Sequence, residues 1–92
     1  MDTATILELV KARLGISTNV RDAYLTAIVK SVIDELQNEK GIVLDPEDMS
    51  HVMFVANYSE WRYSNRDSSK AMPKYLQWDL RNLFISSGSK NV

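Results

Sequence analysis

The chain has 92 residues, of which 45% are hydrophobic and 25% charged, and its 11 basic and 12 acidic side chains give a formal net charge of −1. This composition predicts one ordinary globular domain rather than a disordered or low-complexity chain. The absence of cysteine excludes disulfides, thiolate catalysis and iron–sulfur clusters. Near-neutral charge is unlike that of a dedicated DNA-binding protein. Without cysteine nothing indicates an oxidising compartment, so the cytoplasm is the default expectation. No apolar run resembles a signal peptide or a membrane span.

The first predicted helix begins at a capping residue, Asp2 or Thr3, and ends at Gly15, which supplies the left-handed conformation that closes many helices. Its apolar residues recur on one face: Ile6, Leu7, Val10 and Leu14.

The second predicted helix starts near Asp22, runs to about Lys40 and stops at Gly41. It carries one broad apolar stripe, made of Leu25, Ile28, Val29, Val32, Ile33 and Leu36. The apolar run 42–44 is interpreted as an extended connector that fills the core, with a lone strand as the lesser option.

In the third predicted helix, Asp45 is the expected N-cap, Pro46 the first helical residue and Ser64 the end. Apolar residues lie on more than one of its faces, which is typical of a central helix. One row holds Val52, Val55, Ala56 and Tyr63, and the other holds Phe54, Tyr58 and Trp61.

A polar loop, 65–70, leads to a fourth predicted helix that opens at Met72-Pro73. Its core stripe is expected to hold Leu76, Leu80, Leu83 and Phe84, with Tyr75, Trp78 and Ile85 towards another face. The small, polar segment 86–92 is predicted to be a mobile tail. The sequence therefore predicts an all-α protein, a compact bundle of about four helices formed by one domain over 1–85.

Catalysis has little support in the sequence. His51 is the only imidazole, and a capping or surface role suits it better than a catalytic triad. Too few histidines are present for a zinc site, and neighbouring acids such as Glu47 and Asp48 point apart on a helix. No glycine-rich phosphate loop occurs. We therefore expect a protein that is not an enzyme and that uses no cofactor or metal.

Charge is distributed unevenly along the chain. Between Asp34 and Asp48 six acids accompany one base, and between Arg62 and Arg81 five bases accompany two acids. The acidic stretch includes the candidate interface residues Asp34, Glu35 and Glu39. Two interpretations remain open: two solvated turns, or a bipolar protomer whose acidic end contacts the basic end of a neighbour.

Aromatic residues are concentrated in the second half of the chain, where seven of the eight lie. Phe54 and Phe84 are expected in the core. For four others a protein interface competes with core packing, because tyrosine and tryptophan are enriched in such contacts; these are Trp61, Tyr63, Tyr75 and Trp78. Basic residues interspersed with aromatic residues are also compatible with binding of single-stranded nucleic acid. The neighbouring acidic residues and the net charge of −1 make this the weaker interpretation.

Several stretches resemble one family. These are Tyr58–Asp67 (YSEWRYSNRD), Met72-Pro73, Leu76–Leu83 (LQWDLRNL), the opening Ile6–Ile16 and the Arg21–Leu25 start of the second helix. Together they resemble the small head–tail connector proteins of tailed bacteriophages and prophages, over about residues 6–85. The Trp-Arg-Tyr and Asn-Arg-Asp run is the most distinctive part.

The resemblance implies a non-enzymatic adaptor that forms a homo-oligomeric ring under the portal protein, extends the DNA channel and joins the next head-completion or tail protein. DNA would be passing cargo, no membrane would be involved, and the location would be the virion or the bacterial host cytoplasm. The matching residues would be structural or interfacial: Trp61, Arg62, Tyr63, Asn65, Arg66 and Asp67. Trp61 is expected between helices and Arg66 beside an acid of its own or a neighbouring protomer. The alternative is a small helical DNA-binding or regulatory module that uses region 62–81.

Overall fold

The computed structural model describes residues 1–88. Four α-helices account for most of them: α1 (Thr3–Leu14), α2 (Asp22–Asp34), α3 (Met49–Ser64) and α4 (Lys74–Gly88). No strand occurs in this part of the chain, so the all-α prediction is confirmed. None of the described helices is long and apolar enough to cross a membrane.

The ends of α1 follow the sequence signals. The Asp2 carboxylate accepts a hydrogen bond from the Ala4 N–H at 3.1 Å, which satisfies one of the unpaired donors at the helix start. Gly15 adopts φ 71° and closes the helix in the left-handed conformation. Lys11 of α1 also pairs with Asp22 in the first turn of α2, at 2.9 Å.

The end of α2 is wider than an ordinary helical turn. Residues Glu35–Glu39 form a π-helical turn, in which the Lys40 N–H donates to the Glu35 carbonyl at 3.0 Å, five residues back. Gly41, with φ 67°, then ends the helical segment, as predicted. The following connector buries Ile42 and Leu44, which confirms its predicted role in the core.

The start of α3 differs from the prediction. Asp45 does not cap the helix: its carbonyl accepts the Asp48 N–H at 3.1 Å, which closes a turn with Pro46 in second position. Asp48 is the N-cap and accepts the Ser50 N–H at 2.9 Å. The Asp-Pro pair suits a turn as well as a helix start, since proline fixes φ near −65° in both.

Helix α3 is central, because it packs against α1, α2 and α4. Most of its surface is buried, as the two predicted apolar rows require. By contrast, α4 packs against α3 alone among the described helices. The buried stripe of α4 is therefore narrow: it holds Leu76 and Leu83, whereas Phe84 is half exposed, contrary to the prediction.

Helix α4 also extends past the predicted domain boundary at residue 85. Ser87 is buried, and its hydroxyl accepts the Val43 N–H at 2.6 Å, which ties the helix end to the connector. Residues 86–88 are therefore helical rather than part of a tail. The remainder of the predicted tail, 89–92, lies outside the described residues.

Candidate interaction site

A basic pocket lies beyond the C-terminal end of α3, where this helix meets α2 and the following loop. Its volume is about 310 Å³. Tyr24 and Ile28 of α2 and Trp61 of α3 supply its apolar walls. The polar lining comes from the end of α3 and from the loop: Arg62, Asn65, Arg66, Ser68 and Lys70. This pocket, defined by these eight residues, combines cations with aromatic surface in one concave site.

Arg62 of the basic pocket is neutralised within the chain. Its guanidinium donates to the Glu35 carboxylate at 3.0 Å, and the same carboxylate accepts the Tyr58 hydroxyl at 2.9 Å. Burial, together with the bond to Glu35, raises the pKa of Tyr58 to about 12. Glu35 and Arg62, predicted as members of two opposed surface patches, thus form one internal network that joins α2 to α3.

Arg66 has a different environment. Its guanidinium lies 4.2 Å from the centre of the Tyr63 ring and donates to the Tyr63 carbonyl at 2.6 Å. Within residues 1–88 no carboxylate pairs with Arg66, so the expected acid partner is not found in its own protomer. Tyr63 itself is buried, and its hydroxyl accepts a hydrogen bond from Arg21. Tyr63 is therefore a support for Arg66 and not an exposed interface residue.

The other predicted residues at this end of α3 have mixed roles. Trp61 is half buried and stacks on Tyr58, with ring centres 6.4 Å apart, while its remaining surface lines the basic pocket. Asn65 follows the last helical residue, and its side-chain amide donates to the Trp61 carbonyl at 2.9 Å. Asp67 is exposed in the next turn.

The outer face of α4 is apolar and basic. Trp78 and Ile85 are 62% and 58% exposed, and they point away from the buried Leu76 and Leu83. Lys74 and Arg81 lie on the same side of the helix. We call this side the outer face of α4 and define it by four residues: Lys74, Trp78, Arg81 and Ile85. The Arg81 guanidinium sits 5.9 Å from the Trp78 ring centre. Tyr75, also predicted as an interface residue, is 55% exposed on the flank of this face.

A groove of about 760 Å³ runs beside the outer face, between α4 and the end of the π-helical turn. Glu39 and Lys40 form one side, and Phe84 and Leu80 contribute apolar surface on the other. Glu39, like Asp34, is exposed, as predicted for the acidic stretch. The periodicity of α4 correctly predicted that Tyr75, Trp78 and Ile85 lie away from its core stripe. The groove could not be predicted in this way, because it depends on the distance between α4 and the end of the π-helical turn.

The acidic turn, residues 45–48, lies at the opposite end of α3 from the basic pocket. Two of its acids serve the local structure: the Asp45 carboxylate accepts the Glu47 N–H at 2.9 Å, and Asp48 caps α3. Hydrogen bonds from the Ser50 hydroxyl and N–H hold the pKa of Asp48 below its usual value. Glu47 is exposed, and its carboxylate makes no hydrogen bond within the described chain.

His51, in the first turn of α3, supports the acidic turn. It is 1% exposed, so the expected surface position is wrong, and its Nδ1 accepts the Asp45 N–H at 3.0 Å. The turn needs an acceptor there because a buried N–H without a partner is costly. In the described residues no three acidic or histidine side chains come together as a metal site.

Comparisons with models of known protein families, with curated proteins and with solved structures find no match. The geometry of the described residues is therefore the basis for any functional assignment, beside the resemblance stated from the sequence.

Proposed function

We propose that the protein is a non-enzymatic assembly adaptor, and specifically a head–tail connector of a tailed phage or prophage. One observation carries the adaptor function: α4 packs on α3 along a narrow stripe and leaves a second apolar face outward. The resemblance of the sequence to the connector family supports the more specific assignment. In this proposal copies form a ring under the portal and present a surface to the next head-completion or tail protein.

The outer face of α4 has the chemistry of a protein-binding surface. Exposed Trp78 and Ile85 provide apolar area, and Arg81 beside the tryptophan provides directional donors. Trp and Arg are the residues most enriched among those that dominate binding energies. A lone exposed leucine would need no explanation, but two large apolar residues on one exposed face, two turns apart on a helix that already buries its other stripe, indicate a partner.

The proposal is tested by binding of the purified protein to the portal protein of the same phage. Trp78→Glu combined with Ile85→Glu should weaken binding by at least about thirtyfold, the effect expected when residues that dominate an interface are lost. Val20→Glu is the matched control, since Val20 is 84% exposed and lies far from α4 in sequence. Circular dichroism should show the same helix content in all three proteins.

Two results would contradict the proposal. One is that the wild-type protein does not bind its portal and that electron microscopy of the mixture shows no rings. The other is salt-dependent retention on duplex or single-stranded DNA, which would favour the alternative of a DNA-binding module. That alternative is weakened by the ion pair of Arg62 with Glu35, because this base of region 62–81 is already neutralised.

A further inference from the structure

We propose that the basic pocket is a carboxylate-binding site for the acidic turn of a second copy of this chain. The Glu47 carboxylate would lie between Arg66 and Lys70, so that copies join head to tail. This inference rests on the proposed function, because it supplies the contact by which an adaptor assembles with itself.

The pocket holds two cations that no carboxylate of residues 1–88 neutralises. Arg62 is paired with Glu35, but neither Arg66 nor Lys70 pairs with a carboxylate among residues 1–88. Arg66 is also fixed in position, because its guanidinium is stacked on the Tyr63 ring and bonded to the Tyr63 carbonyl. A guanidinium has five N–H donors, so most of them remain for a ligand. A positioned Arg beside a Lys is suited to an oxyanion.

The acidic turn presents a matching group. Glu47 is its exposed acid, and the turn around it is held by the Asp45 carboxylate and the His51 imidazole. On either side of Glu47 the exposed Pro46 and Met49 provide apolar surface. The basic pocket has the complementary arrangement, with cations flanked by aromatic and aliphatic side chains.

The two sites cannot neutralise each other within one molecule. They lie at opposite ends of α3, whose 16 residues span about 24 Å at 1.5 Å per residue. That separation is about three times the screening length of roughly 8 Å at physiological ionic strength. Contact between two acidic turns, or between two basic pockets, would be repulsive. Compensation therefore requires the acidic turn of one copy to contact the basic pocket of another. In the head-to-tail arrangement proposed here this contact is heterologous, and it builds a ring if it closes and a filament if it does not.

The contact can be tested by charge reversal and rescue, with sedimentation velocity at low ionic strength. Glu47→Lys and Lys70→Glu should each weaken self-association at least tenfold. Mixing the two variants should restore association between them, because the unchanged pocket of the Glu47→Lys protein can bind the unchanged Glu47 of the Lys70→Glu protein. Glu8→Lys and Lys30→Glu are matched controls at exposed positions outside both sites and should associate like wild type. Self-association should also decrease towards about 1 M salt, where the screening length is about 3 Å.

Three results of the association assay would overturn the inference: a wild-type protein that stays monomeric at low ionic strength, reversals that have no effect, or a mixture without rescue. Binding of single-stranded DNA that depends on Lys70, with no effect of Glu47→Lys on self-association, would also overturn it and assign the pocket to nucleic acid. The portal assay is independent of these variants. Lost rescue with intact portal binding refutes only the head-to-tail contact, and rescue without portal binding refutes only the connector assignment.

Discussion

Replacement of Glu35 by alanine tests whether the network between α2 and α3 stabilises the fold. The substitution removes the acceptor of the Tyr58 hydroxyl and the ion-pair partner of Arg62. Tyr58 is only 7% exposed, so its hydroxyl loses a charge-assisted bond that typically contributes about 1.5–3 kcal/mol. The pair with Arg62 is partly exposed and adds at most about 1 kcal/mol. We expect the free energy of unfolding to decrease by about 2 kcal/mol in total.

Thermal and urea unfolding, followed by circular dichroism, measure this effect. In a domain of this size 1 kcal/mol corresponds to about 4–8 °C, so the melting temperature should decrease by about 8–16 °C. Glu39→Ala is the matched control, because it makes the same change in the same π-helical turn at an exposed position, and it should stay within about 0.5 kcal/mol of wild type. Equal stability of the two variants would show that the Glu35 network does not exist in solution.

The elevated pKa of Tyr58 predicts that the free energy of unfolding decreases above about pH 10. Tyrosine in the unfolded chain ionises there, while folded Tyr58 keeps its proton to about pH 12. In urea unfolding measured at a series of alkaline pH values, Tyr58→Phe should lack this decrease. Leu76→Ala should cost about 2–5 kcal/mol in unfolding free energy, because this side chain is fully buried between α4 and α3. Gly41→Ala should cost about 1 kcal/mol because of the left-handed φ of 67°, although the space for a methyl group is open; an unchanged melting temperature would contradict that conformation. Trp78→Glu alone should leave the unfolding free energy within about 0.5 kcal/mol, since its ring is mostly exposed, and a large loss would place the residue in the core.

Local signals predicted the helices well because each signal acts within a few residues. Gly15 and Gly41 both adopt the left-handed conformation at the helix ends where the sequence placed them. The period of three and four identified the buried face of α2, including Leu25, Val29 and Val32. The same reasoning failed at Asp45, because an Asp-Pro pair satisfies a turn and a helix start equally well, and the capping bond to Ser50 decides for Asp48.

Errors in burial and in the site have a longer-range origin. Phe84 follows the core period of α4, but among the described helices α4 packs against α3 alone, so the period overestimates the width of the buried stripe. Glu35 and Arg62 were predicted in opposite patches because they lie in separate charged stretches, 27 residues apart, and the packing of α2 against α3 brings the Glu35 carboxylate to Arg62. No sequence pattern predicted the π-helical turn. Nor does the sequence show that Lys70, Arg66 and Tyr24 line the same pocket, because that depends on how α2, α3 and the following loop pack.

Some of the predicted interface residues therefore stabilise the fold, and others lie on surfaces that are available for contact. Glu35, Arg62 and Tyr63 make bonds within the fold, so their variants would act first on stability. The acidic turn, the basic pocket and the outer face of α4 share no residue, and each can be changed without touching the other two. One protomer could then bind two neighbours through the first two surfaces while the third holds a different protein. Simultaneous occupancy of this kind is what a ring-forming adaptor requires, and a single shared surface could not provide it.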